Sequence, residues 1–289
     1  MNYFYHIAVV ITVYTVLALS LDLVVGQCGR LSLCHAAFYG IGAFASSILM
    51  VRMGWDYLPA TVVAVAVTAA TATAIGLLAL RLREEFFVLA TLAFQLIIGS
   101  ILYNWIDVTG GPYGLPGIPR PTFLGTRLDS PALFLVFSLT VAVVVVVLYW
   151  QLTRSPYGRV LRAIRDDHLA VTVLGKNVYL IEVGAFVISA GLAAVAGTVW
   201  ATWAAYIDPT SFGVDEAIFL LAVVVIGGLG SVWGPVLGAS FMVLLPEVLR
   251  LGGTPDAYAP NVQQLVYGMI LVLLMRFRRQ GIYGGYALE

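Results

Sequence analysis

Charged residues are scarce in this chain, and their scarcity excludes most soluble protein classes. Only 10% of the 289 residues are Asp, Glu, Lys or Arg, whereas 61% are hydrophobic. Soluble globular domains are typically about 25% charged and about 45–50% apolar. The 15 basic and 15 acidic residues also cancel, so no excess charge favours a nucleic acid or an acidic substrate. The composition indicates a polytopic membrane protein.

Residues that carry metal, redox or covalent chemistry are also few. The two cysteines, Cys28 and Cys34, have no metal-ligand spacing, and we predict that both are free thiols. The chain has no nucleotide-binding motif and no series of membrane-embedded carboxylates that would suggest a proton relay. We therefore expect no enzymatic activity, no catalytic residue, no bound metal and no cofactor in this chain.

Long apolar runs are abundant instead. A transmembrane helix needs about 20 mostly apolar residues. The alternation of a membrane barrel is absent, and helices satisfy their own backbone hydrogen bonds in lipid. We predict a single all-α membrane domain over residues 1–289, a bundle of about nine transmembrane helices with a range of eight to ten. The predicted spans are Tyr5–Val25, Leu31–Val51, Leu58–Leu80, Phe86–Ile106, Pro131–Leu152, Leu180–Trp203, Ala217–Trp233, Pro235–Leu249 and Val262–Met275.

Two of these spans are unusual in composition or length. Segment 31–51 is rich in Gly, Ala and Ser, which suggests a broken or partly re-entrant helix, and segment 235–249 is short. The first apolar run of the chain raises a separate question, namely whether it is cleaved as a signal peptide. No Lys or Arg precedes the first apolar run, which is too long for a signal-peptide core. We therefore expect the first run to be retained as a span.

The basic residues indicate the orientation of the bundle. Positive charge in short loops marks the cytoplasmic side of a membrane protein. With nine spans, four arginines lie on one side, namely Arg52, Arg120, Arg127 and Arg250. The other side has Arg30, Arg81, Arg83, Arg154, Arg159, Arg162, Arg165, Lys176, Arg276, Arg278 and Arg279. This pattern predicts an external N-terminus and a cytoplasmic C-terminus.

The largest predicted cytoplasmic loop, residues 153–179, has the pattern of an amphipathic helix. Ser155 and Pro156 are a helix start signal, and Gly175 is a stop signal. A less polar stripe repeats at helical spacing, whereas the charges lie largely off it: the stripe is Leu161, Ile164, His168 and Val171. One interpretation is an anchor at the lipid headgroups. The other is a docking helix for a cytoplasmic partner, which Asp166 and Asp167 favour because anionic lipid would repel them.

Glycine and proline are concentrated in one external loop and in two membrane segments. The external loop, residues 107–130, has turn residues that favour a rigid connector, or alternatively a gate or a landing surface for an external partner. The membrane segments 26–47 and 226–240 are rich in small residues. They indicate close helix packing, or broken helices whose exposed backbone lines a polar cavity.

Five stretches resemble one family in the order in which that family has them. They are "GRLSLCHAAFYGIGAF", "TLAFQLIIGSILYNWIDVTGGPYGLPGIPRP", "SPYGRVLRAIRDDHLAVTVLGKNV", "AFVISAGLAAVAGTVWA" and "VVIGGLGSVWGPVLGA". The chain is similar along nearly its whole length to the LivM-type permease subunit of branched-chain amino-acid ABC importers. Cys34 departs from the pattern, since the family usually has glycine there.

The resemblance implies a subunit that translocates branched-chain amino acids across the bacterial inner membrane. ATP and magnesium would bind to two separate ATPase subunits. The other implied partners are a second permease subunit, which makes a heterodimer, and an external substrate-binding protein. Related permeases with this architecture carry urea, short amides or sugars, and these substrates stay open. A secondary transporter that works alone is the competing class, although the sequence has no evident ion-coupling site.

The resemblance also implies two sets of site residues. In such importers a cytoplasmic helix of the permease sits in a cleft of the ATPase, with Leu161, Ile164 and Leu174 as anchors beneath the bundle. The predicted ATPase-coupling residues are Gly158, Arg159, Leu161, Arg162, Ile164, Arg165, Asp166, Asp167 and Gly175. The predicted substrate pathway is formed by Ser32, His35, Gly40, Gly42, Asn104, Thr109, Gly227, Gly228 and Gly230.

Overall fold

Helices dominate the computed structural model, which describes residues 2–123, 126–251, 268–269 and 281–284. The helices are α1 (Asn2–Asp22), continued by a π-helical turn (Leu23–Gln27), α2 (His35–Met53), α3 (Tyr57–Ala79), α4 (Glu84–Asn104), α5 (Ile106–Thr109), α6 (Pro131–Arg154), α7 (Pro156–Asp166), α8 (His168–Val173), α9 (Val178–Ala204), α10 (Val214–Gly227) and α11 (Trp233–Leu251). Short 3₁₀ turns cover Gly111–Tyr113 and Pro209–Phe212. The strands are β1 (Leu115–Pro116), β2 (Thr122–Phe123), β3 (Thr126–Arg127) and β4 (Tyr206–Ile207).

Within the described residues, six helices are long and apolar enough to cross a membrane: Tyr3–Gln27, His35–Met53, Tyr57–Ala79, Glu84–Asn104, Pro131–Arg154 and Val178–Ala204. They confirm the first six predicted spans and the all-α polytopic fold. The ninth predicted span, Val262–Met275, lies almost entirely outside the described residues, as do Arg276, Arg278 and Arg279.

The seventh and eighth predicted spans form a pair of helices joined by a glycine-containing connection. Helix α10 has 14 residues, about 21 Å at 1.5 Å per residue, and is shorter than the ~30 Å hydrocarbon core. The predicted boundaries Ala217–Trp233 were wrong because the helix ends at Gly227, before Gly228 at a φ of 109°. Helix α11 then runs back for 19 residues, from Trp233 to Leu251.

Contacts between distant helix ends define two faces of the bundle. Asp22 and Tyr149 meet near the end of α1, and Gly230 joins them, whereas Tyr3 meets Glu247 at the other end of the bundle. We call the first end the arginine-rich face, because α7, Arg30 and the two arginines between α3 and α4 lie there, and we call the second end the opposite face. The contacts give the alternation of faces that the predicted spans require.

Helix α9 lies at the centre of the bundle and packs against α1, α2 and α3. Its closest neighbour is α2, where a Cβ on Gly42 would stand 2.5 Å from the Cα of Ala194. A Cβ on Gly197 would likewise meet the backbone of Tyr39 and Ala43. These small residues therefore bring the two backbones together, as the packing interpretation of segment 26–47 predicted.

The break suggested within segment 31–51 is not present, because α2 runs without interruption from His35 to Met53; the helix only begins four residues later than the predicted span. The buried, non-helical residues before it need partners for their backbone groups. Helix α4 supplies a partner for one of these residues and another for the first turn of α2. The N–H of Leu33 donates to Thr91 Oγ1 at 3.1 Å, and the N–H of Ala37 donates to Gln95 Oε1 at 2.6 Å. The Gln95 amide also donates to the carbonyl of Phe212 at 2.7 Å, which ties α2 and α4 to the chain before α10.

The glycine- and proline-rich loop is built from fixed turns. Gly110, Gly111 and Gly114 have positive φ angles, and β1 pairs with β4 in antiparallel register, Leu115 with Ile207. This pairing fastens the loop to the end of α9 on the opposite face. The turns and the strand pair agree with the predicted turn chemistry of this loop; its role as a rigid connector, a gate or a landing surface stays a prediction.

Candidate functional site

Helix α7 begins where the sequence predicts. The hydroxyl of Ser155 accepts a hydrogen bond from the N–H of Gly158 at 3.3 Å, and Pro156 occupies the first turn. Gly158 itself packs directly on the backbone of the last turn of α6, where a Cβ would meet the carbonyls of Leu152 and Thr153. Gly158 therefore sets the close approach of α7 to α6.

One helix through Gly175 was predicted, but the structure has two. Asp167 is extended, with φ −156° and ψ 98°, so it ends α7. Its Oδ1 accepts from the N–H groups of Leu169 at 2.9 Å and Ala170 at 3.0 Å, which makes Asp167 the N-cap of α8. Gly175, at a φ of 76°, follows the end of α8 and confirms the predicted stop.

The break at Asp167 changes which apolar residues are buried. Leu161, Ile164 and Val171 are buried, as the predicted stripe requires. His168 is exposed, and Leu174 is 79% exposed, so the prediction that these two lie against the bundle was wrong. The reason is that the extended residue resets the helical phase, and a pattern continued from α7 no longer applies to α8.

The sequence pattern implied that the arginines of α7 face outward, but two of them face the bundle. Arg162 Nη1 donates to the carbonyl of Thr153 at 2.9 Å and to Gln27 Oε1 at 3.1 Å. Arg165 Nη1 donates to the carbonyl of Gly26 at 2.7 Å, and its side chain is only 9% exposed. The placement of these two arginines on the outward surface was therefore wrong: they bind α7 to the bundle.

The outward surface of this loop is apolar at its tip. Leu169, Val173 and Leu174 are 75%, 86% and 79% exposed, and we call these three residues the α8 tip. Asp166, Asp167 and Lys176 are exposed charges close to it in the sequence, Arg159 is exposed on α7, and Asp166 forms an ion pair with Arg165 at 3.1 Å. An exposed apolar cluster with a charged rim is typical of an interaction site.

A buried ion pair holds the segment before α2 against α9. Arg30 Nε donates to Glu182 Oε1 at 2.9 Å and Nη2 donates to Oε2 at 3.3 Å. Burial alone would lower the pKa of Arg30, but the hydrogen bonds and charge of Glu182 raise it above its ordinary value. Glu182 and Asp22 are both buried.

Ser32 and His35, two predicted pathway residues, belong to a buried hydrogen-bond chain. The Ser189 hydroxyl donates to the carbonyl of Ser20 at 2.6 Å and so accepts from His35 Nε2, also at 2.6 Å. This arrangement leaves His35 Nδ1 to accept from the Ser32 hydroxyl at 3.3 Å. His35 is thus a packed, hydrogen-bonded residue, and its role in the substrate pathway stays a prediction. The Cys34 thiol, buried and free, lies 3.3 Å from the same hydroxyl.

Three further predicted pathway residues have close structural contacts. A Cβ on Gly40 would stand 3.0 Å from Phe212, and Gly42 packs on α9 as described above. The Thr109 hydroxyl donates to the carbonyl of Leu102 at 2.6 Å and accepts from the N–H of Gly111 at 3.1 Å, which fixes the turn after α4.

Two predicted pathway residues line cavities: Gly230 lines one of about 580 Å³ beside the connection between α10 and α11, and Asn104 lines a second one. This second cavity measures about 340 Å³ and lies between α4 and the segment that leads into α10. Its apolar lining includes Leu96, Pro209 and Val214, and its polar lining includes Gln95, Ser100, Tyr103, Asn104 and Thr210. Sequence reasoning missed Ser100, Tyr103 and Thr210, because a lone polar residue at a helix end carries no distinctive signal.

Gly227, Gly228 and Gly230 form the connection between α10 and α11. A Cβ on Gly227 would collide with the carbonyl of Gly234, and Gly228 and Gly230 have φ angles of 109° and 74°. The chain at 281–284 lies against this connection, with the N–H of Tyr283 donating to the carbonyl of Gly227 at 2.9 Å. The contacts of Gly227 confirm the close-packing interpretation of segment 226–240. These glycines form a turn between two antiparallel helices, and the interpretation that exposed backbone here lines a polar cavity stays a prediction.

Comparisons with known proteins agree with this architecture. The family model described as the branched-chain amino acid transport system permease component matches residues 3–275. The high-affinity branched-chain amino acid transport system permease proteins LivM of Salmonella typhimurium and Escherichia coli are each 34% identical over 96% of this chain and 69% of their own. The autoinducer 2 import system permease protein LsrC of Klebsiella pneumoniae is 31% identical over 71% of this chain and 59% of its own.

No solved structure matches the chain. The family model covers nearly the whole chain, and the matched region includes the second span, α7, α8 and the connection between α10 and α11. This chain therefore belongs to the permease family of branched-chain amino acid transport systems.

Proposed function

We propose that this chain is one membrane-spanning subunit of an ABC importer for branched-chain amino acids. The observation that carries the proposal is the 34% identity to LivM permeases over 96% of the chain. The chain itself supplies a path and a coupling surface, and it performs no catalysis. ATP and magnesium bind to two separate ATPase subunits, and this chain holds no cofactor.

The arginine-rich face is the cytoplasmic face of the inner membrane in this proposal. Loops there contain Arg30, Arg81, Arg83, Arg154 and the arginines of α7, and positive charge in short loops marks the cytoplasm. The N-terminus is then external and the C-terminus cytoplasmic. On the external face, the loop 107–130 offers a surface to a substrate-binding protein.

The ATPase contacts the α8 tip and its charged rim. Leu169, Val173 and Leu174 supply apolar area that a cleft of the ATPase buries, while Arg159 and Asp166 orient the contact. Gly158, Leu161, Ile164, Arg162 and Arg165 act indirectly, because they fix α7 to the bundle. Asp167 and Gly175 define the two ends of α8.

The cavity beside α4 is our candidate for a substrate contact on the translocation path. Its volume of about 340 Å³ accommodates an amino acid. Leu96, Pro209 and Val214 suit an aliphatic side chain, whereas Ser100, Asn104 and Thr210 provide groups for the amino and carboxylate ends. The second permease subunit, a distinct sister chain, closes the open side of this cavity.

The experiment that tests the proposal is purification of the intact complex from native membranes and reconstitution in vesicles with ATP inside. We expect two ATPases and a sister permease to copurify, and labelled leucine uptake to require ATP and the external binding protein. Excess isoleucine or valine should compete with leucine, whereas urea, acetamide and ribose should not. Uptake by this chain alone without ATP would contradict the proposal.

A further inference from the structure

A buried carboxyl group connects three parts of the bundle at its arginine-rich face. Asp22 is fully buried at the end of α1. Its Oδ2 accepts from the hydroxyl of Tyr149 on α6, and its Oδ1 accepts from the N–H of Gly230 at 2.9 Å. Asp22 therefore joins α1 and α6 to the connection between α10 and α11.

The π-helical turn that follows Asp22 is held by α7. The carbonyl of Gly26 accepts from Arg165, and the Gln27 side chain accepts from Arg162 while it donates to the Tyr149 hydroxyl at 3.1 Å. Single π-helical turns occur often at functional sites because they interrupt the regular backbone bonding. A continuous hydrogen-bonded path thus runs from α7 to Tyr149 and Asp22.

The parts of this path are closely packed, because glycines lie at the positions where they meet. A Cβ on Gly26 would collide with the carboxyl of Asp22 and would stand 2.5 Å from the nitrogen of Gly230. A Cβ on Gly29 would stand 2.7 Å from Cγ of Arg165. A displacement of α7 must therefore displace the π-helical turn, and a displacement of that turn must disturb the bonds of Asp22.

We propose that this path couples the ATPase-driven movement of α7 to the connection between α10 and α11. We call it the Asp22 junction, formed by Asp22, Gly26, Gln27, Tyr149, Arg162, Arg165 and Gly230. Asp22 and Tyr149 are positioning residues, since they act through the backbone of Gly230. This inference rests on the proposed function, because it needs an ATPase that moves α7 through the α8 tip.

The connection between α10 and α11 is suited to respond. It is non-helical from Gly228 to Val232, between the end of α10 and the start of α11. Its backbone is held from two sides, by Asp22 and by the chain at Tyr283. Energetic coupling through such a contiguous network requires an element with two arrangements, and this connection is the element that we assign.

The test is the number of ATP molecules hydrolysed per leucine imported by the reconstituted full complex. Tyr149→Phe removes the hydroxyl that bonds to Asp22 and Gln27 but keeps the ring. We expect this variant to assemble with the ATPases and to raise the ATP-to-leucine ratio by about fivefold or more, the lower end of typical coupling between sites.

The matched control is Tyr57→Phe at the opposite face. Tyr57 is also buried, and its hydroxyl bonds to Thr198 Oγ1 at 2.9 Å. We expect its ratio to stay at the wild-type value, because a purely structural hydroxyl affects assembly but not coupling. An unchanged ratio for Tyr149→Phe, or an equal rise for Tyr57→Phe, would overturn the proposal.

A second variant covers the case in which Tyr149→Phe does not assemble. Arg162→Lys keeps the positive charge at a half-buried position and shortens the reach to Gln27 Oε1. It should also raise the ATP-to-leucine ratio, and an unchanged ratio would contradict the proposal. Failure of the proposed function is distinguishable, because the wild-type complex would then show no ATP-dependent uptake at all.

Discussion

Helices α7 and α8 lie in the same loop, but α7 buries charged side chains whereas α8 exposes apolar ones. In α7 two arginines, Arg162 and Arg165, turn inward, and Arg165 is only 9% exposed because it binds a carbonyl of the π-helical turn. In α8 the apolar residues turn outward, and Val173 is 86% exposed. The comparison shows that hydrogen bonds to backbone carbonyls hold charged residues of α7 against the bundle, whereas the exposed apolar residues of α8 have no such contact; the proposed ATPase partner would bury them.

The largest effect that we expect comes from the α8 tip. Leu169→Asp combined with Val173→Asp should weaken ATPase binding by about 30-fold or more, as for the loss of an interface hot spot of about 2 kcal/mol. Binding is measured with purified permease and ATPase in detergent. The fold should be unaffected, because both side chains are over two-thirds exposed.

Lys176→Asp is the control for the added charge, since Lys176 is exposed in the same loop. A similar loss of binding in this control would show that the charge of the loop, and not its apolar tip, determines docking. If the double variant bound the ATPase as well as the wild type does, the exposed apolar residues of α8 would not be the docking surface.

The next effect concerns stability rather than docking. Arg165→Ala leaves the carbonyl of Gly26 without its donor, and an unsatisfied buried group costs about 1–3 kcal/mol. We expect a lower thermal unfolding temperature for the purified permease, and only a small change for Arg159→Ala, whose side chain is exposed. Equal unfolding temperatures for both variants would contradict the inward role of Arg165.

A smaller effect should follow from loss of the cap between the two helices. Asp167→Ala removes the acceptor for the N–H groups of Leu169 and Ala170, a change that costs about 1 kcal/mol at typical N-caps. Faster amide hydrogen exchange in α8, with unchanged exchange in α7, is the expected result. Asp167→Ser keeps an acceptor and should restore most of the protection.

The smallest effect should come from an exposed charge on α7. Arg159→Glu is expected to slow ATPase association by a few-fold at low salt and to have little effect at high salt, because rim charges steer encounter and are screened. Association rates measured at two ionic strengths test this expectation. A large loss of affinity that persists at high salt would place Arg159 in the buried centre of the interface.

Much of the fold could be predicted because it depends on local composition. The six long apolar runs become six long helices, since a backbone in lipid must satisfy its own hydrogen bonds. Ser155, Pro156 and Gly175 mark helix ends through local geometry, so their roles were readable as well.

The direction of individual side chains could not be predicted in the same way. Arg162 and Arg165 resemble any exposed arginines of an amphipathic helix, and their acceptors lie 135 and 139 residues away in the sequence. Tyr149 and Asp22 are similarly 127 residues apart. No neighbouring residue in the sequence indicates which distant group each of these side chains binds.

The sequence by itself determined that this chain spans a membrane as helices, where most of those helices lie, and to which family the chain belongs. These properties follow from the length of the apolar runs, the turn residues and the order of the motifs, all of which can be read from the linear sequence. The tertiary structure alone decided which polar groups are buried, which apolar groups are exposed, and that α7, Asp22 and Gly230 share one hydrogen-bonded path. The physical reason is that free backbone carbonyls and buried carboxyl groups become binding partners only when packing brings distant segments together.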